Sequence, residues 1–169
     1  MAAIEASGEP MRPLTKFIIK DQPHVVTHTI PSLWAATRRR EEYRTAYAKL
    51  WNAANIDIIL CPAGPSVAPK HNTSKYWGYT SQWNLLDYPA LVFPVSQVSV
   101  EKDENEETYE PRNETDKENW ELWEKFGAEG YVDAPISLQI VGRRFKEEEL
   151  LQAMEILVKE TGVGDVKFV

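Results

Sequence analysis

A single cysteine, Cys61, stands among the 169 residues, so no internal disulfide framework can staple the chain, and a reducing compartment is expected. No apolar run approaches the roughly 18 residues that would span a bilayer. The opening stretch MAAIEASGEPMRPLTKF lacks the sustained apolar core of a secretory leader. Together these absences predict a cytoplasmic protein without a membrane span. They leave the sequons Asn72-Thr73-Ser74 and Asn113-Glu114-Thr115 as idle matches. There is no GxSxG elbow, no phosphate loop and no dinucleotide fingerprint; Gly162 and Gly164 follow a predicted helix rather than open one. Basic residues are also short, 19 against 26 acidic, for a net charge of −7, and such a chain repels phosphate backbones, which argues against a nucleic-acid partner.

Metal and nucleophile chemistry are equally thin. His24 and His28 are four apart, but Val25, Val26 and Thr27 between them favour strand, and no glutamate follows the first histidine. His71 has no partner set by spacing. No metal site and no cofactor are expected. Cys61 closes an apolar run beside Pro62 and reads as a small core residue rather than a nucleophile.

What is present is globular composition, 43% hydrophobic and 11% aromatic, enough for one core. The segment from Glu101 to Glu121 holds ten acidic and three basic residues. It therefore carries the whole net charge and reads as a solvated acidic insertion. Residues 1–31 begin with a helix-compatible AAIEAS and continue with prolines at 10, 13, 23 and 31, an irregular lead-in.

Ser32 is the expected N-cap of a long helix reaching Ile56, with Tyr43, Tyr47, Leu50 and Ala54 as its apolar stripe. On that register Leu50→Ala costs about 2–5 kcal/mol, whereas Arg39→Ala is nearly silent. The arginines at 38–40 and 44, with Lys49, largely take the remaining faces. Residues 57–61 and 90–95 read as short buried strands, and 135–141 as the best strand. A short helix, SQWNLLD, follows a capping Thr80, and Trp120 and Trp123 mark another before Gly127.

Lys146 to Thr161 is the best helix, with Leu150, Leu151, Met154, Leu157 and Val158 facing the core, Glu147–Glu149 at its positive end and Gly162 as C-cap. The order of elements is α/β. Three strands with long connections make an uncomfortable sheet alone, and free edges invite pairing.

One segment stands out. Tyr76 to Pro89 holds Tyr76, Trp77, Tyr79, Trp83 and Tyr88 within fourteen residues, mixed with Thr80, Ser81, Gln82 and Asn84. Aromatic walls with a few polar groups build small-molecule pockets, although aromatics capping a core give the same composition.

The runs DIILCPAGPSVAPKHNTSKYWGYTSQWNLLDYPALVFPVSQV and DAPISLQIVGRRFKEEELLQAMEILVKETG resemble the C-terminal part of amidase-signature hydrolases. The likeness is to the fungal acetamidase-like branch, which is related to fatty acid amide hydrolase. NLLDYPA and APISLQIVGRR are its specific strings. The resemblance implies the C-terminal portion of an α/β/α sandwich around a mixed β-sheet, incomplete as a domain, with residues 1–169 as one partial unit. It implies hydrolysis of carboxylic amides to acid plus ammonia or amine. The nucleophile is a serine activated by a second serine in a cis peptide and by a lysine, with a Gly/Ser-rich stretch as oxyanion hole.

No Gly-Ser-Ser-Gly-type stretch occurs here, so no catalytic residue carries over, and the catalytic set is expected upstream. Alone, such a fragment is expected to be inactive. What carries over is the wall of the substrate pocket: Trp77, Tyr79, Thr80 and Trp83. Asn84 and Asp87 are expected to brace the loop and Pro89 to set the start of the next strand. The partner implied is a small-molecule amide. The competing reading is a non-catalytic module that binds a small ligand between Trp77 and Trp83, or assembles through exposed sheet edges.

Overall fold

The computed structural model describes residues 2–23, 25–104 and 108–163; His24, one of the two histidines weighed above, lies outside the described residues. The prolines of the lead-in cut it into short helical pieces: α1 (Ala2–Ser7), α2 (Pro13–Lys16) and a π-helical turn at Phe17–Asp21. Pro13 stands at the first turn of α2, where its missing N–H costs nothing.

The long helix α3 (Ile30–Ala54) begins three residues before the expected start. Thr29 is the cap, its hydroxyl oxygen accepting from Ser32 N at 3.3 Å. Asn55 ends the helix in the left-handed conformation. The predicted stripe is rotated. Tyr47 packs against the core, but Leu50 is 64% exposed and Ala54 is exposed, while the neighbouring Trp51 is 2% exposed.

One residue along a helix is a turn of about 100°, so burying Trp51 sends Leu50 outward. Trp51 wins because it buries a larger ring and its indole N–H finds the Ile56 carbonyl at 2.7 Å. Arg44, assigned above to a solvent face, is half-buried, and its Nε donates to the Leu85 carbonyl at 2.7 Å.

Three strands, β1 (Ile59–Pro62), β2 (Ala90–Gln97) and β3 (Pro135–Val141), form one antiparallel sheet in the order β1-β3-β2. The last strand in sequence is therefore the central one, and Gln139 lies opposite Cys61 on one side and Val92 on the other. Helix α4 (Gly78–Leu86) joins α3 on one face of the sheet, where Trp83, Leu86 and Val141 pack with Tyr47, Ile59, Cys61 and Tyr88.

Helix α6 (Glu147–Thr161) covers the other face, with Leu150 on Phe93 and Ile140, and Met154 and Leu157 beside them. Its buried stripe is narrower than predicted, since Leu151 and Val158 are exposed. Helix α6 packs on β2 and β3, and positions on its flank meet solvent. The result is the expected α/β/α layering.

The acidic segment departs from a loop. From Glu114 it enters α5 (Glu114–Gly130), capped by Asn113, whose side chain accepts from Asp116 N at 3.0 Å. Gly127 takes φ 54° inside this span and kinks it, a conformation that favours glycine. Trp123, Phe126, Ala128 and Tyr131 then pack with Val67, Val98, Ala134 and Ile136 as a third core cluster at the end of the sheet. Lys70 clamps this corner, its Nζ 4.9 Å from the Phe126 ring and 5.1 Å from that of Tyr131.

Candidate functional site

Strand β1 delivers the chain into the loop 63–77, whose prolines and Gly64 keep it out of regular structure. This loop, α4 and α5 enclose a cavity of about 320 Å³. Its walls include Tyr76 and Trp77 from the loop, Thr80 from α4, Val92 from β2, and Leu122 and Trp123 from α5. Aromatic and aliphatic side chains dominate, and Ser66, Ser74, Ser137, Lys75 and Asn119 supply the polar part. No hydrogen bond among the described residues joins a lining serine hydroxyl to Lys75. The cavity therefore has the make-up of a binding wall and lacks an assembled nucleophile–base pair.

The four residues singled out from sequence are divided among three neighbouring cavities. Trp77 and Thr80 line the one just described. Thr80 is not a cap: α4 starts at Gly78, and the Thr80 hydroxyl donates back to the Trp77 carbonyl at 3.2 Å, tying loop to helix. Tyr79 faces an adjacent cleft of about 410 Å³ shared with Tyr76, Tyr109, Arg112 and Asp116. Its ring meets Tyr76 edge-on at 6.0 Å. Trp83 is a core residue, edge-on to Tyr47 at 6.1 Å. It also forms part of the wall of a third cavity, of about 450 Å³, together with Thr80, Val92 and Gln139.

Asp87 braces the end of α4 in the left-handed conformation, its backbone N–H reaching the Asn84 carbonyl and its carboxylate 2.6 Å from Arg144 Nε. The Pro89 carbonyl accepts from Gly142 N at 3.0 Å and so pins the start of β2.

Gln139 is the residue that sequence reasoning missed. It is fully buried in the central strand, and its Nε2 donates to the carbonyls of Pro62 and Tyr79, each at 2.7 Å. One side chain thus holds the start of the cavity loop against α4. Leu122 and Trp123 were missed as cavity residues, because Trp120 and Trp123 were read only as marking a short helix after the acidic segment. The apolar pair Trp120 and Trp123, three apart with Leu122 between them, was the available signal. Burial pushes the Cys61 thiol pKa up, with Gln139 partly offsetting it, which disfavours a thiolate. Among the described residues no cluster of three or more His, Cys, Asp or Glu is placed to hold a metal. His28 instead shares a hydrogen bond with Ser32 Oγ at 3.3 Å.

An aromatic-walled cavity with a few polar groups, beside a loop held by the central strand, has the make-up of a small-molecule pocket. The amidase family profile matches residues 4–151, and the chain belongs to that family. It is 49% identical over 151 residues to a Schizosaccharomyces pombe protein described as a "putative amidase", covering 89% of this chain and 28% of that one. It is 31% identical over 168 residues to the acetamidase of Emericella nidulans, covering 96% of this chain and 30% of the relative. Among solved structures, fatty acid amide hydrolase superposes with a TM-score of 0.85 at 29% identity, over 96% of this chain and 29% of that enzyme. The chain thus spans less than a third of the length of these relatives. Among the described residues no helix is long and apolar enough to cross a membrane.

Proposed function

We propose that this chain provides the substrate-binding wall of an enzyme that hydrolyses carboxylic amides to acid plus ammonia or amine. The observation that carries the reading is the cavity between loop 63–77, α4 and α5, apolar and aromatic, in a chain of the amidase family. Trp77, Leu122 and Trp123 take the organic group of the amide by burial of apolar surface. Thr80, bonded to the Trp77 carbonyl, keeps the indole-bearing loop in place. The acetamidase and the fatty acid amide hydrolase to which the chain is similar are named for amides of very different acyl size. The cavity volume is the feature that would set that size here.

The nucleophilic serine, the second serine and the lysine base belong, in this reading, to polypeptide that precedes the matched region. Serine is a weak nucleophile at its own pKa and needs such a base, while backbone N–H groups stabilise the tetrahedral oxyanion. The reading includes a cytoplasmic location, supported by a single half-buried thiol.

The test is a chimera in which residues 4–151 replace the matching block of the Schizosaccharomyces pombe relative. Hydrolysis of a panel of amides from acetamide to benzamide is then followed by ammonia release. Activity above that of a folded chimera whose nucleophilic serine has been removed is expected. A folded but silent chimera would sink the proposal.

A further inference from the structure

Helix α5 lends Asn119, Leu122 and Trp123 to the wall of the cavity of about 320 Å³, while its hold on the core lies towards its far end, at Trp123, Phe126 and Ala128. Gly127 breaks the helix there with φ 54° and ψ −174°, a combination open in practice to glycine alone. Across the break the rings of Trp123 and Tyr131 stack, their centroids 5.6 Å apart and their planes 13° from parallel. In an unbroken helix, residues eight apart stand about 12 Å from each other along the axis. It is therefore the turn at Gly127 that brings the two rings together. Phe126 meets Tyr131 edge-on at 5.9 Å and completes the packing.

Tyr131 in turn is tied to the sheet. It is 7% exposed, and its carbonyl accepts from Ala134 N at 2.8 Å. The Ala134 carbonyl accepts from Val98 N at 3.0 Å, just past the end of β2 and just before the start of β3. We propose that Gly127 and Tyr131 are positioning residues: they hold the Trp123 wall in place against the sheet and so set the width of the organic group that the cavity admits. That this group belongs to an amide rests on the substrate-wall reading above; the fixing of the wall rests on the packing itself. Without the Tyr131 ring, Trp123 loses its stack. A Cβ at position 127 draws φ back to negative values and parts the two rings. In either case the wall shifts away from a bound group, and dispersion contacts to that group fall off steeply with distance.

The experiment uses the full chain and calorimetric titration with two probes, benzamide and ethylbenzene. The second reads the cavity whether or not its ligand is an amide. The unaltered chain and Tyr131→Phe, which keeps the stack, are expected to bind each probe with the same Kd. Tyr131→Leu and Gly127→Ala are expected to bind about tenfold more weakly. Gly127 does not line the cavity, so its effect reads the position of the wall rather than a lost contact. Val98→Ala loosens the same core cluster without touching the cavity and is expected to leave Kd unchanged. Equal weakening by Val98→Ala, full affinity in Gly127→Ala, or no binding of either probe by the unaltered chain would overturn the assignment. Should Tyr131→Leu fail to fold, the contrast of Gly127→Ala with Val98→Ala decides. Binding of ethylbenzene without benzamide would count against the amide reading, and the ethylbenzene series then decides the positioning role by itself.

Discussion

Gln139 ties two separate parts of the chain to the central strand, the end of β1 through Pro62 and the start of α4 through Tyr79. Replacing it with leucine of similar volume leaves two carbonyls without their donor. A loss of about 1–3 kcal/mol for each carbonyl that stays buried is expected in urea unfolding. Trp51 and Leu50 give a second contrast at this scale. Trp51→Ala is expected to cost about 3–5 kcal/mol, and Leu50→Ala to stay within about 0.5 kcal/mol.

The Leu50 register was misread because apolar residues occur all round α3, with Leu33, Trp34 and Leu50 exposed and only Trp51 deeply buried. No stripe dominates, so periodicity had little to choose between. Gln139 was illegible for another reason. A polar residue in an alternating strand reads as the wet face, and only the layers, α3 and α4 on one face of the sheet and α6 on the other, make both faces dry. Trp77 and Thr80 were singled out through the family resemblance, since composition alone fits aromatics that cap a core as well as a pocket lining.

Among elements, α5 shows how a run of charge can encode structure. Glu114 and Asp116 sit in its first turn, where carboxylates favour the positive end of the helix. Asp116 accepts from Arg112 N at 2.9 Å and from the Tyr109 hydroxyl at 2.7 Å, and these contacts hold its pKa below the usual carboxylate value. A carboxylate whose folded pKa is depressed stabilises the fold fully above its unfolded pKa, about 4. That contribution fades as pH falls through the lower, folded value. Urea midpoints of the unaltered chain and of Asp116→Asn are therefore expected to differ at pH 7 and to converge on acidification. A constant gap across pH would contradict this. Asn113→Ala, which removes the cap, is expected to cost about 1 kcal/mol. The strands were legible to within two residues, β3 at both ends, because alternation and the flanking Pro and Gly mark them directly.

At the scale of the whole molecule, the layers are legible from the order of elements, and the family from the strings NLLDYPA and APISLQIVGRR. The sheet has only three described strands, and its outer members β1 and β2 leave Leu60 and Val92 more than half exposed. Such edges are an aggregation liability when nothing covers them. Self-association of the 169-residue chain by light scattering is accordingly expected to exceed that of the chimera.

The central claim, that the Trp77 cavity binds the amide's organic group, is tested most directly by Trp77→Ala in the active chimera. Steady-state kinetics on benzamide and acetamide would be compared. Loss of kcat/KM about tenfold or more for benzamide, with acetamide little changed, is the expected result. Equal loss for both amides, or none for either, would contradict it.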